Sequence, residues 1–216
     1  MPRTSERGGP QTRARILAVA TRMFVEQGFD AVRVADVARA AGVSSVTVFN
    51  HFPSKEDLFL DRADDAAELL RAVVRERAPG LDVLGALREA VLGLADDRHP
   101  LSGLNELSLP FFRTVAASPA LIARARAIAA DLRQVLVAEL ERDSAFEDDP
   151  SLLAAFFVAG YETVLVETAR RRLAEDPSDV LVDDHRMRVE RLFSALRGGV
   201  APGAAAQPGS ADPSAS

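Results

Sequence analysis

Residues 34–52, VADVARAAGVSSVTVFNHF, constrain the fold more than any other stretch of the chain. Val34, Val37, Ala38 and Ala41 recur at i, i+3, i+4 and i+7 and so share one face of a short helix. Gly42 follows. Glycine reaches the left-handed conformation that ends a helix at little steric cost, and Val43 is placed to make the hydrophobic contact that follows such a cap. Ser44 is a good N-cap for a second helix running to about Phe52, with Val48 and Phe52, four apart, facing inward. Ala38 is small enough for the two helices to cross closely. Together these are the requirements of a helix-turn-helix, whose second helix enters a DNA major groove.

The polar residues of that second helix fit the task. Ser44, Ser45, Thr47, Asn50 and His51 are short or planar groups able to bond base edges or phosphates. Ser54 and Asp57 form an S-x-x-D capping box that opens a further helix, and Lys55 in its first turn is expected to meet a phosphate. An ordinary helical pair with a solvated face carries the same local pattern, and a bare A-x-x-x-G-x-x-x-x-x-V match is weak. The run into HFPSKEDLF near the N-terminus makes the match much more specific.

On these residues the segment from about 12 to 60 resembles the DNA-binding domain of the TetR family of transcriptional regulators. The matching stretches are TRARI (12–16), FVEQGF (24–29), VADVA (34–38), AGVS (41–44) and TVFNHFPSKEDL (47–58). The resemblance covers roughly a quarter of the chain; the remainder is similar to the family in length and helical content alone. Val32-Arg33 stands where the family usually has a Thr or Ser cap. Val46 replaces a common small residue and Phe49 the usual Tyr, whose hydroxyl often reaches a phosphate. Arg33 is a candidate for a substitute phosphate contact.

Composition excludes several classes. The chain has 216 residues, 48% of them hydrophobic, with no cysteine and three histidines far apart in sequence (His51, His99, His185). That leaves no disulfide, no thiol nucleophile and no expected zinc site; no cofactor is expected. No signal-peptide core opens the chain, and the longest apolar stretch, 152–161, is too short for a bilayer, so a cytoplasmic protein without membrane association is expected. The net charge of −6 conceals an asymmetry: residues 1–55 hold 8 basic and 4 acidic residues, while 56–216 hold 18 and 28. The basic excess lies with the proposed DNA reader.

The expected architecture is all-α: a flexible arm (1–9), a three-helix helix-turn-helix domain (10–55), a helical ligand-sensing and dimerisation domain (56–199) and a disordered tail (200–216). Arg3 and Arg7 of the arm are candidates for DNA contact, though a disordered leader is the simpler reading. Helices are expected over about 11–27, with Ile16, Ala20, Met23, Phe24 and Gln27 inward, then 54–77, 82–95, a helix over 101–117 broken at Pro110, 118–142, 149–175 and 183–197, the last stopped by Gly198-Gly199. The helix after Asp149 is apolar nearly all round its axis and needs cover on both sides. Ala155, Ala159, Gly160 and Thr163 on it, with Leu192, Phe193 and Leu196 on the last helix, are expected to form a four-helix homodimer interface.

The family resemblance implies a small-molecule cavity in the C-terminal helices. Asn105, Phe111, Phe112, Phe157 and Tyr161 are its candidate lining, with Glu162 and Arg113 as further polar contacts, for an apolar or amphipathic effector that releases a repressor from double-stranded operator DNA. A rival reading is an all-helical enzyme in which Asp61, Asp64, Asp65 and Glu68 hold a metal-diphosphate. A solvated acidic face explains that spacing more simply.

Overall fold

A computed structural model describes residues 9–200; of the arm expected over 1–9 and the tail expected over 200–216, residues 1–8, with Arg3 and Arg7, and 201–216 lie outside them, while Gly9 opens the first helix and Val200 closes the last. Nine α-helices and two short 3-10 turns make up the described residues, with no strand among them. The helices are α1 (Gly9–Gln27), α2 (Val34–Ala40), α3 (Ser45–His51), α4 (Ala63–Arg75), α5 (Val83–Asp96), α6 (Ser108–Ala116), α7 (Pro119–Leu140), α8 (Pro150–Leu173) and α9 (Ser178–Val200).

Two main cores organise them. The first collects Ile16, Ala20 and Phe24 of α1, Val37, Ala38 and Ala41 of the α2 region, and Val48 and Phe52 of the α3 region. Gln27, expected on the inner stripe of α1, is exposed. This head also takes in Leu58 and Phe59, and Leu121 from the first turn of α7, so its core draws on both sides of residue 55. The second core joins α4, α5, α7, α8 and α9 through Leu87, Leu136, Leu153, Phe157, Val189 and Phe193 among others.

Several elements differ from expectation for identifiable reasons. The helix expected over 54–77 is divided into a 3-10 turn, Glu56–Leu58, and α4. The division resets the helical phase. Leu58 and Phe59 both enter the head core, and the inward stripe of α4 becomes Ala67, Leu70 and Val74 rather than Ala66, Leu70 and Val73. Pro110 does not break a helix; it lies in the first turn of α6, where its missing N–H has no partner to lose. Ser118 does not cap α7 with its side chain; its hydroxyl donates to Asp30 at 3.0 Å. α9 begins five residues earlier than expected and continues through Gly198 and Gly199. α8 has 24 residues and a mean hydropathy of 1.5 over its most apolar window, long and apolar enough by composition to cross a bilayer, which corrects the expectation that no stretch is. In this fold that helix packs against α6, α7 and α9.

Candidate nucleic-acid interface

The α2–α3 turn is built by local chemistry. Gly42 has φ +67°, and the amide of Val43 donates to the carbonyl of Ala38 at 2.9 Å, closing the helix end. Any Cβ at Gly42 would be held in the left-handed region, which costs about 1–2 kcal/mol. Ser44 then caps α3, its hydroxyl accepting from the Thr47 amide at 3.0 Å and bonding the Thr47 hydroxyl at 2.9 Å. Val48 and Phe52 are sealed beneath at 1% exposure each. Arg13 of α1 lies over the Phe52 ring, 4.7 Å from its centre.

The outward face of α3 is therefore Val46, Phe49 and Asn50, at i, i+3 and i+4, all exposed. Ser44 is exposed too, and Ser45, Thr47 and His51 are half-buried. The hydroxyls of Ser44 and Thr47 are engaged with each other, so capping takes up part of their capacity to bond DNA. Arg33 is exposed at the N-cap of α2 with no side-chain capping bond. The expectation that Lys55 meets a phosphate is corrected: its ammonium donates to the Phe29 carbonyl at 2.6 Å and sits over the Phe29 ring, 4.2 Å from its centre. The sequence signal for that inward turn was present, in the aromatic pair Phe24 and Phe29 that make the cation's seat. The capping box beside it forms, with Ser54 accepting from the Asp57 amide at 3.1 Å and donating to the Asp57 carboxylate at 2.7 Å.

The head is joined to the body at one end of α6 and α7. Phe111 stacks on Phe59, with ring centres 5.1 Å apart. Ser118 donates to Asp30, and Arg124 donates to Asp57 at 2.8 Å.

The candidate pocket residues are not gathered around one cavity. Phe111 belongs to the head core, while Phe157 and Tyr161 lie stacked in the body core, 6.2 Å apart. Phe112 fills the space beside Gly103, where a Cβ would lie 2.7 Å from its ring. Asn105 is engaged by Ser108 through its side chain and by Arg172 through its carbonyl. Arg113 pairs with Glu175 at the surface, and Glu162 borders a groove of about 180 Å³ between α7 and α8. A second open groove, about 330 Å³, lies between α4 and α5. Burial without a partner marks several side-chain atoms, among them the Tyr161 hydroxyl, the Nε2 of His185 and the Nε of Arg172, and the first two lie together. Their rings approach edge to face at 6.4 Å. Burial pushes the Tyr161 hydroxyl well above its ordinary pKa and holds the His185 imidazole down at about 4.

The dimer candidates divide. Phe193 and Leu196 are 2% and 5% exposed within the protomer's own core, which corrects their placement at an interface. Gly160 serves an internal approach as well, since a Cβ there would stand 2.2 Å from Leu192 Cδ1. Ala159 and Thr163 are exposed and Ala155 half-buried. The sequence reading missed the larger members of the same face. Leu152, Phe156 and Val166 are 52%, 51% and 45% exposed, and with Ala159 and Thr163 they fall at alternating spacings of four and three along α8.

The acidic residues weighed as a metal-diphosphate site are otherwise occupied. Asp65 pairs with Arg62 at 3.2 Å and Glu68 with Arg71 at 3.1 Å, while Asp64 is exposed. Burial raises the pKa of Asp61 and so favours its uncharged form. Among the described residues no group of three or more His, Asp or Glu is placed to hold a metal ion.

Comparison with known proteins agrees with this geometry. Residues 16–61 match the family "Bacterial regulatory proteins, tetR family". The chain is 33% identical over 95 residues to the HTH-type transcriptional regulator AcrR of Shigella flexneri, an alignment covering 43% of this chain and 44% of that protein. It is 29% identical over 157 residues to the HTH-type transcriptional regulator TcmR of Streptomyces glaucescens, covering 69% of each. The match to the first of these relatives thus spans less than half of its length. The fold is similar to that of Thermus thermophilus FadR, a TetR family transcriptional repressor solved in complex with lauroyl-CoA, with a TM-score of 0.57, 24% identity, and coverage of 91% of this chain and 99% of that one. An outward-facing α3 on a capped α2–α3 turn and the family match that spans it converge: residues 16–61 are a DNA-binding head of the kind that defines the tetR family of bacterial regulatory proteins.

Proposed function

We propose that the chain is a homodimeric transcriptional repressor that docks α3 in the major groove of an operator and is released by a small apolar or amphipathic effector. The observation that carries this reading is the stance of α3, which rests on a sealed core while Val46, Phe49 and Asn50 face solvent. Arg15, Arg22 and Arg33 are exposed on the same head, within the segment that holds the basic excess, and would supply backbone attraction. Paired half-sites require two heads. The α8 stripe of Leu152, Phe156, Ala159, Thr163 and Val166 would supply an apolar surface for a second copy.

The effector reading is supported by the unpartnered polar atoms of Tyr161 and His185 beside Phe157, where an organic molecule with one polar group would be satisfied. Its entry would part the α8–α9 packing, and the contacts of α6 and α7 with the head would carry the change to α3. A cytoplasmic location follows from this role.

The test is binding of the full-length protein to a randomised duplex library, followed by fluorescence anisotropy on the enriched sequence across a salt series. A steep fall in affinity with salt, two half-sites per duplex and a stoichiometry of two protomers are expected. Salt-insensitive or absent binding overturns the reading. A melting screen of phenols and medium-chain acyl compounds tests the effector: a ligand that raises the melting temperature should also release the duplex.

A further inference from the structure

We infer that α3 reads its half-site chiefly through the C5-methyl groups of thymine, with Val46 and Phe49 as the contacting side chains and Asn50 directed to adenine. This rests on the DNA-binding reading above and specifies what the helix recognises.

The argument begins with what α3 lacks. Its sequence, SVTVFNH, contains no Arg, Lys, Gln, Asp or Glu. The commonest specific contact in a major groove, a cation bidentate to guanine O6 and N7, has no donor on this helix, and neither has the carboxylate contact to cytosine N4. The hydroxyls of Ser44 and Thr47 are tied to each other, and that of Ser44 also to the Thr47 amide. What protrudes furthest is apolar: Val46 at 68% exposure and Phe49 at 50%, with Asn50 beside them on the same face. The rest of the head keeps its large aromatic side chains, Phe24, Phe29, Phe52 and Phe59, below 5% exposure, so Phe49 departs from the pattern of its own domain. The one apolar feature of a major-groove floor is the thymine methyl, and the side chain that pairs bidentately with adenine is Asn or Gln. An isopropyl group and a phenyl ring next to an Asn carboxamide therefore match T·A pairs better than G·C, which has no methyl and no bidentate partner for Asn.

The experiment selects the preferred duplex from a random library with the full-length protein, then replaces each thymine in turn by deoxyuridine, which removes only the methyl. Wild type, Val46→Ala and Phe49→Ala are compared; both side chains lie at the surface, and circular dichroism checks that each variant folds. Fixed T·A pairs in each half-site are expected, with affinity falling about fourfold for each contacted methyl removed. In Val46→Ala the uracil penalty should vanish at one thymine and persist at another, with Phe49→Ala showing the complementary pattern. A half-site whose fixed positions are G·C, or an affinity unchanged by uracil at every thymine, overturns the inference while leaving DNA binding intact. A change of self-association in Val46→Ala with unchanged DNA affinity also overturns it, by assigning the apolar face to a protein partner. If no sequence is enriched and no salt-dependent binding occurs, the underlying reading fails as well.

Discussion

The buried imidazole of His185 should make the protein lose stability on mild acidification, in a pH range where its carboxylates contribute little. His185 is fully buried, and its Nδ1 lies 2.8 Å from the Thr168 hydroxyl. That hydroxyl donates to the Val164 carbonyl at 2.9 Å, so it accepts from His185, which places the proton on Nδ1 and leaves Nε2 bare. A second proton would sit on Nε2, where the structure provides no acceptor. Desolvation therefore holds the folded-state pKa at about 4 against an ordinary 6.5, although the charge of Asp184 opposes the shift. Asp184 is itself engaged by Arg171 and Arg188. As pH falls through 6.5 the unfolded chain binds a proton that the folded chain refuses until about 4. Stability from this group is complete above 6.5, declines by up to about 1.4 kcal/mol per unit, and is exhausted below 4. Between pH 6.5 and 5 the loss is about 1.6 kcal/mol, since the slope at 6.5 is only half its maximum. Glu139, Asp82, Asp184 and Glu190 are held below their ordinary range, by arginine partners in each case, so their stabilising contributions are lost only at lower pH. Asp61, raised by burial, titrates in the opposite sense, and its contribution cancels in a comparison with His185→Phe. Urea unfolding at half-unit steps should give a slope in the wild type that flattens in the variant, whatever the variant's absolute stability. Equal slopes between pH 6.5 and 5 would falsify the reasoning.

Phe156→Glu with Val166→Glu should convert a dimer to a folded monomer in sedimentation velocity, because both side chains lie on the exposed α8 stripe and outside the protomer core; an unchanged sedimentation coefficient would rule out that face. Gly160→Val should cost about 1–3 kcal/mol by overpacking, since its first carbon meets Leu192 at 2.2 Å, and Leu192→Ala in the same chain should recover part of the loss in denaturant titrations. Lys55→Met should lower the melting temperature through loss of the bond to the Phe29 carbonyl while leaving the salt slope of DNA binding unaltered. A slope reduced by about one would return Lys55 to the phosphate backbone.

The parts of the fold legible in the sequence are those whose causes are local. Gly42, Ser44 and the Ser54–Asp57 box each act within a few residues, and all three form. Where long-range packing decides, the pattern misleads. Nothing between Ser54 and Arg77 marks the break after Leu58; it follows from Leu58 and Phe59 entering a core completed by α1 and Leu121. On α8 apolar residues run nearly all round the axis, so periodicity cannot assign one face to the protomer and another to a partner. Small residues suggested the interface, yet Gly160 serves Leu192 of its own chain, and the exposed face is carried by Leu152, Phe156 and Val166. The reading of Lys55 failed for a related reason: a cation near a helix start suits a phosphate and an aromatic pair equally well until the fold brings Phe29 beneath it.

The same packing bears on how a body buried behind the head can influence α3. Coupling needs contiguous elements with little slack, and here the contacts differ in chemistry but lie together. An aromatic stack joins Phe111 to Phe59, a hydroxyl joins Ser118 to Asp30, a guanidinium joins Arg124 to Asp57, and Leu121, fully buried, extends α7 into the head core. Towards the other end of α7, Glu139 accepts from two Arg75 nitrogens of α4 at 2.7 Å each, while Leu136 and Leu140 enter the body core. α7 is thus fastened to the head at one end and to α4 and the body at the other. α4 begins just after the 3-10 turn anchored in the head, so the non-helical stretch at 60–62 is a place where the two bodies could change angle without breaking a helix. A displacement of α7 would be taken up there, and because Leu58 and Phe59 on the head side are rigidly packed, it would reach α3 as a rotation of the whole head and not as a distortion within it.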